Sequence, residues 1–161
     1  MQNYRILIVE DEVDLAESLK QLLIDDYAHI DTAVNGLDAL SYARENSYNL
    51  ILSDFLMPVM SGQYRIRKVR LKCSHTPVIF MTGNGTKDLV QSAIKLGAVD
   101  FIDKPVPIIL LKEIIQSTLE IEQHKKNILD LRGDSYPNED LIRDEERALG
   151  IKQVSRDKRK T

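Results

Sequence analysis

Short apolar runs that each end in a polar or charged side chain limit the fold of this chain more than any other feature. Ile6-Leu7-Ile8-Val9 runs into Glu10-Asp11-Glu12, and Leu50-Ile51-Leu52-Ser53 runs into Asp54. Val78-Ile79-Phe80-Met81 runs into Thr82-Gly83, and Val99-Asp100-Phe101-Ile102-Asp103 runs into Lys104-Pro105. Continuous apolar runs of this length, set between helical patterns, read as strands buried on both faces. Acids, a hydroxyl and a lysine therefore stand where strands end. In an open α/β sheet that is where ligands bind.

The segments between and around these runs alternate in kind. Strands are expected over residues 4–9, 29–34, 50–53, 77–81 and 99–102. Helices are expected over 12–26, 37–45, 62–72 and 86–96, with a last one from Val106-Pro107 onward. Leu15, Leu19, Leu22 and Leu23 carry the helical spacing of the first helix. Asn35-Gly36 is a turn signal, and Gly97 suits a helix C-cap. Five βα units of this kind predict a parallel sheet covered by helices on both sides. Right-handed crossovers restrict the topologies. The flavodoxin-like, doubly wound order 2-1-3-4-5 places the first and third strands side by side at a switch point. In that order Glu10, Asp11 and Asp54 converge on one crevice.

Composition bounds the rest. A chain of 161 residues that is 43% apolar has material for one core. The pattern divides it into a domain over 3–122 and a charged extension over 123–161, partly helical or disordered. Residues 139–149 read as a short helix with Asn138 as N-cap, and the basic end from Lys152 to Thr161 as disordered. The net charge of −3 gives no argument for nucleic acid or membrane partners of the whole chain. The one cysteine, Cys73, cannot form an internal disulfide. With no signal-peptide pattern and no stretch near the ~20 apolar residues of a membrane span, the expected setting is cytoplasmic.

Three neighbouring carboxylates need a cation or raised pKa values, because like charges about 4 Å apart repel by roughly 4 kcal/mol at an effective dielectric near 20. A hard divalent cation with oxygen ligands, Mg²⁺ above all, answers that need. The plainer reading of Glu10, Asp11 and Glu12 is favourable charge at a helix N-terminus, and Glu12 fits it best. A carboxylate beside Mg²⁺ can attack a phosphoryl group, a transfer that depends on positioning and charge neutralisation. Lys104 can pair with the phosphate so formed, and Thr82 can donate a hydrogen bond to it.

With these residues assembled, the chain resembles the receiver domain of two-component response regulators, of the chemotaxis-regulator-like kind. The segments that carry the resemblance are Ile6 to Glu12, Ser53 to Gly62 with its Asp54-Phe55-Leu56-Met57-Pro58, Met81-Thr82-Gly83, and Lys104-Pro105. They cover about residues 3–122. The resemblance implies that Asp54 is the phosphoacceptor and that Glu10, Asp11, Asp54 and the Leu56 backbone carbonyl hold Mg²⁺. It implies that Thr82 and Lys104 bind the phosphoryl oxygens, that Phe101 is a switch aromatic, and that the Lys104-Pro105 peptide is cis. Thr82 can instead cap the following turn, and Phe101 can simply be core. The implied function is a signalling switch rather than an enzyme of its own. It would be phosphorylated by a sensor histidine kinase or phosphotransfer protein and act by changed protein binding or dimerisation.

Departures and leftovers sharpen this expectation. Gly83 stands where such domains often carry alanine, and Gly83-Asn84-Gly85 predicts a flexible loop. Leu56 cannot orient water by a hydrogen bond, which predicts slow loss of phosphate. Leu56 also argues against a rival reading, a phosphatase with an aspartyl-phosphate intermediate, which would place a second Asp there. A second rival is an adaptor that keeps only the fold, for which the full set of acids, Thr and Lys has no use. In the last helix, Ile108, Leu111 and Ile115 form one apolar stripe. Leu110, Ile114 and Ile121, continued by Ile128, form another, open either to a homodimer partner or to cover by the tail. Arg65, Arg67, Lys68, Arg70 and Lys72 read as a solvated face. The basic terminus could touch an acidic partner or nucleic acid, though no DNA-binding motif is present.

Overall fold

Parallel pairing of the apolar runs sets the architecture. The computed structural model describes residues 2–56, 75–83, 85–95 and 97–133. Its elements are β1 (Gln2–Val9), α1 (Val13–Leu23), β2 (Tyr27–Ala33), α2 (Gly36–Glu45), β3 (Leu50–Asp54), β4 (Val78–Thr82), α3 (Lys87–Lys95), β5 (Asp100–Asp103) and α4 (Ile108–Arg132). The strands form one five-stranded parallel sheet in the order β2-β1-β3-β4-β5. This is the flavodoxin-like order read from the sequence. The helix expected over 62–72, with its basic face, the helix expected over 139–149 and the basic end all lie outside the described residues, as does Asn84.

Strand alternation divides the core. Ile6, Ile8, Leu50, Leu52, Ile79 and Met81 point to one face and pack with Leu19, Leu23, Leu111, Ile115 and Leu119 of α1 and α4. Leu7, Val9, Ile51, Val78 and Phe80 point to the other and pack with Ala39, Tyr48, Phe55 and Ala93. Both faces are dry, as a doubly covered parallel sheet requires. The stripe expected at Ile108, Leu111 and Ile115 is the one α4 buries, extended by Leu119.

Element edges differ from the sequence reading for local reasons. β2 begins at Tyr27 rather than residue 29, because Gln2 pairs with Tyr27 and the Gln2 N–H donates to the Asp26 carbonyl at 2.8 Å. Asn35 is a helix N-cap rather than only part of a turn: its Oδ1 accepts from the Leu37 and Asp38 N–H groups at 2.8 and 3.0 Å. Pro77 lies just before β4, and Pro107 is the N-cap of α4. α4 crosses the composition change near residue 122 without a break. It stops at Gly133, whose φ of 71° gives the left-handed cap that glycine supplies without strain.

A polar cluster forms where β3 is about to begin. Tyr48 Oη donates to Asp31 Oδ2 at 2.8 Å. The Arg5 Nε lies 3.4 Å from the same oxygen, and Arg5 Nη1 donates to Asn46 Oδ1 at 2.6 Å. The guanidinium also sits 5.9 Å from the Tyr48 ring centroid. Burial first, then the hydrogen bond and charge of Asp31, push the Tyr48 hydroxyl well above the ordinary tyrosine value.

Candidate functional site

The register of the sheet brings the acids together. Val9 of β1 is opposite Ser53 of β3, so Glu10 and Asp54 are the next positions along neighbouring strands. Asp54 closes β3, and the Phe55 N–H donates to the Met81 carbonyl at 2.8 Å, carrying the pairing with β4 to this edge. Carboxylate oxygens of Glu10, Asp11 and Asp54 lie within 4.8 Å of one another. Glu10 is fully buried, Asp54 nearly so, and Asp11 is exposed. The convergence expected from the strand order is therefore present.

Lys104 ties the crevice together. Its Nζ donates to Glu10 Oε2 at 2.7 Å and to Asp54 Oδ2 at 2.8 Å. The lysine follows β5, and its own N–H donates to the Thr82 carbonyl at 2.7 Å. Thr82 ends β4 and is fully buried. Asp54 Oδ1 accepts from the Leu56 N–H at 2.9 Å, which turns the backbone of Leu56 alongside the carboxylate. The Leu56 side chain is half-exposed. The Lys104-Pro105 peptide is cis.

The electrostatics are unbalanced by design of the residue set. Burial raises the Glu10 pKa, with the nearby Asp54 charge adding to it, while Lys104 opposes the rise. Burial pulls the Lys104 ammonium down, but its hydrogen bonds and charge contacts with Asp54 and Glu10 outweigh this and hold it above the ordinary lysine value. Three carboxylates against one ammonium leave the crevice about two charges negative. A divalent cation balances that charge. The donors are all oxygen, and the exposed Asp11 keeps one side open to water, as Mg²⁺ prefers. The residues fit the ion.

Phe101 is half-buried and belongs to the second core cluster. Its ring meets that of Phe55 edge-on, with centroids 6.1 Å apart, and Phe55 meets Phe80 at 5.0 Å. Phe101 thus touches the residue next to Asp54. Two features escaped the sequence reading. Lys104 bridges two of the acids directly, across 94 and 50 residues of chain. Gly85, read only as a source of flexibility, is a close-approach position: an added Cβ would meet the Asp103 carboxylate and come within 3.2 Å of the Phe101 ring. Gly83 has open space around it. The glycine was visible in the sequence; its neighbours 16 and 18 positions further on were not.

Comparison with known proteins points the same way. Residues 6–116 match the family described as response regulator receiver domain. The chain is 40% identical over 101 residues to the transcriptional regulatory protein DltR of Streptococcus agalactiae, covering 63% of this chain and 45% of that one. It is 36% identical over 140 residues to a probable cyclic di-GMP phosphodiesterase of Vibrio cholerae, covering 86% of this chain and 31% of the other. A CheY-like response regulator receiver domain protein from Methanospirillum hungatei superposes with a TM-score of 0.72 at 27% identity, over 77% of this chain and 99% of that structure. The chain spans about half the length, or less, of these curated relatives. Among the described residues no helix is long and apolar enough to cross a membrane.

Proposed function

The chain belongs to the response regulator receiver domain family and so to two-component signalling, and from that premise we infer that Asp54 is its phosphoacceptor. In the proposed step an Asp54 carboxylate oxygen attacks the phosphorus of a phosphohistidine on a histidine kinase or phosphotransfer protein. The O–P bond forms and the P–N bond breaks, its electron pair returning to the imidazole, which takes up a proton. Glu10, Asp11, Asp54 and the Leu56 carbonyl would hold Mg²⁺, which when bound neutralises charge developing on the phosphoryl oxygens. Lys104 already contacts Asp54 Oδ2, so it needs little movement to follow the new charge. Thr82, at the neighbouring strand end, would donate its hydroxyl to a phosphoryl oxygen.

The observation that carries this reading is the lysine held at 2.7 and 2.8 Å between two buried carboxylates, with a third, exposed one beside them. A purely structural ion pair has no use for the surplus acids. The phosphoryl group adds nearly two negative charges at neutral pH. Drawing Thr82 and Lys104 toward it would bias Phe101 and the surface of α3, β5 and α4, which a protein partner reads. The exposed Leu56 beside Asp54 offers an attacking water no hydrogen bond, so the phosphorylated state should last minutes or longer rather than seconds.

The test is incubation of the chain with Mg²⁺ and an acyl phosphate, followed by intact-mass measurement over time. One phosphoryl group should be gained by the unmodified protein and none by Asp54→Asn. No gain by the unmodified protein overturns the reading, and loss of the group within seconds of removing the donor overturns the slow turnover.

A further inference from the structure

The carboxyl half of α4 carries apolar residues that the domain does not cover. Leu119 is the last buried residue of the helix, yet the helix runs on to Arg132. Ile121, Ile128 and Leu131 on this part are 53, 50 and 88% exposed. Residues 120–132 add about 20 Å of helix at 1.5 Å per residue. Continued from the packed half of α4, this stretch needs no nucleation of its own, yet it holds apolar side chains in water that a packing partner would cover.

The spacing says what kind. Ile114, Ile121 and Ile128 recur at intervals of seven, and Leu110, Ser117, His124 and Leu131 interleave with them at the alternating three- and four-residue steps. These are the two seam positions of a heptad. Ile114 is half-buried against the domain core, so the free seam begins near Ser117 and ends with the helix stop at Gly133. The charges flanking the seam are ordered as well. Glu113 and Glu120 precede the isoleucine positions, while Lys125 and Arg132 follow them on the opposite flank.

We propose that this seam pairs with that of a second copy of the chain, in parallel, as a short two-stranded coiled coil. In a parallel pair each flank faces the opposite flank of the partner five residues on, so Glu120 of one copy meets Lys125 of the other, twice by symmetry. In an antiparallel pair like flanks meet, Glu120 and Asn127 against each other and Thr118, Lys125 and Arg132 among themselves, so no glutamate–lysine pair forms across the seam. Given a parallel pair, isoleucine at the first seam position suits two strands, with Leu131 the one leucine at the second position of the free seam. Ser117 and His124 at the second seam position lower stability and hold the register. With only about two free heptads, the dimer is weak and reversible, suited to adjustment by the domain rather than to permanent assembly.

The inference extends the partner side of the proposed function and does not depend on phosphoryl transfer, so it is tested with no phosphodonor present. Sedimentation equilibrium of the full chain over a concentration series should show a monomer–dimer equilibrium. Ile121→Lys should weaken it about tenfold or more, since each 1.4 kcal/mol of lost burial is tenfold. Glu120→Lys and Lys125→Glu should each weaken it about fivefold, and the two together should restore it to within about twofold. The altered side chains are all exposed, and far-ultraviolet circular dichroism checks that the helix is kept. A chain monomeric at every concentration, including one whose tail folds over the seam, overturns the proposal. So does a dimer indifferent to Ile121→Lys, or one that the double charge swap fails to restore.

Discussion

Two polar clusters sit on one sheet, one partly buried and one more deeply so, and they are built on different rules. The cluster of Arg5, Asp31, Tyr48 and Asn46 sets one cation against one anion, with a hydroxyl and an amide completing the set. The crevice of Glu10, Asp11, Asp54 and Lys104 sets three anions against one cation and buries two of the anions. The first is balanced in charge, though the buried Arg5 Nε makes only an ion-pair contact at 3.4 Å and no hydrogen bond. The second is short of positive charge at the open end of the sheet. Charge balance, together with the deeper burial of Glu10 and Asp54, separates the first cluster from the proposed site.

Removing the lysine should disturb the charge-short crevice most severely. Lys104→Met leaves Glu10 in a dry site with no cation in contact, and breaking a buried pair costs about 3 kcal/mol. Chemical denaturation without metal should show a loss of that size, with millimolar Mg²⁺ recovering part of it. Because burial already raises the Glu10 pKa, mildly acidic buffer should also shrink the loss by letting Glu10 take up a proton. A loss below about 1 kcal/mol would place the crevice among ordinary surface pairs.

The balanced cluster should respond differently. Tyr48→Phe deletes a hydrogen bond to a charged acceptor, a loss of about 1.5 kcal/mol, and Mg²⁺ should leave that loss unchanged. Its signature is alkaline. The folded Tyr48 pKa is raised above the ordinary value of 10.0, so its contribution is fully present below pH 10 and is lost as pH rises through the higher folded value. The unmodified protein should therefore lose stability above about pH 10. Tyr48→Phe should flatten that slope, leaving the part due to Tyr27, whose buried hydroxyl is raised too. Equal slopes in the two proteins would mean that the hydroxyl does not titrate with folding.

These two clusters were not equally legible in the sequence. Apolar runs ending in acids, Thr82 and Lys104 could be read off directly, because a doubly buried strand must be apolar and its ligand-facing end need not be. Handedness restricts the strand orders, the flavodoxin-like order is the one read among those left, and the convergence of Glu10 with Asp54 follows from that order. The balanced cluster left no such mark. Arg5, Asp31 and Tyr48 come from three segments, and nothing local sets them apart from surface residues. The same limit hid the double contact of Lys104 and the crowding at Gly85, where the deciding neighbours are distant in sequence. α4 runs on through 123–132, the start of the extension expected to be partly helical, because that stretch is mostly polar but holds neither glycine nor proline. Polarity of composition marks where burial stops, and a helix can go on past that point.

The smallest change makes the sharpest test of charge balance, because its sign should depend on the metal. Asp11 is exposed and supplies the third carboxylate. Without a divalent cation it only adds repulsion to Glu10 and Asp54, weakened by water. Asp11→Asn should then stabilise the fold by about 0.5 kcal/mol, the scale of an exposed charge pair. With Mg²⁺ present the same carboxylate would serve as a ligand under the proposed reading, so the substitution should weaken metal binding and with it the stability that binding adds. Thermal unfolding in chelator and in Mg²⁺ should therefore rank the two proteins in opposite orders. The corresponding experiment on the balanced cluster, Asp31→Asn, should destabilise in both buffers, since Asp31 is the only carboxylate contacting Arg5 and Tyr48 among the described residues. If Asp11→Asn also moves stability the same way in both, the surplus acid is ordinary surface charge and the crevice loses its claim to a cation.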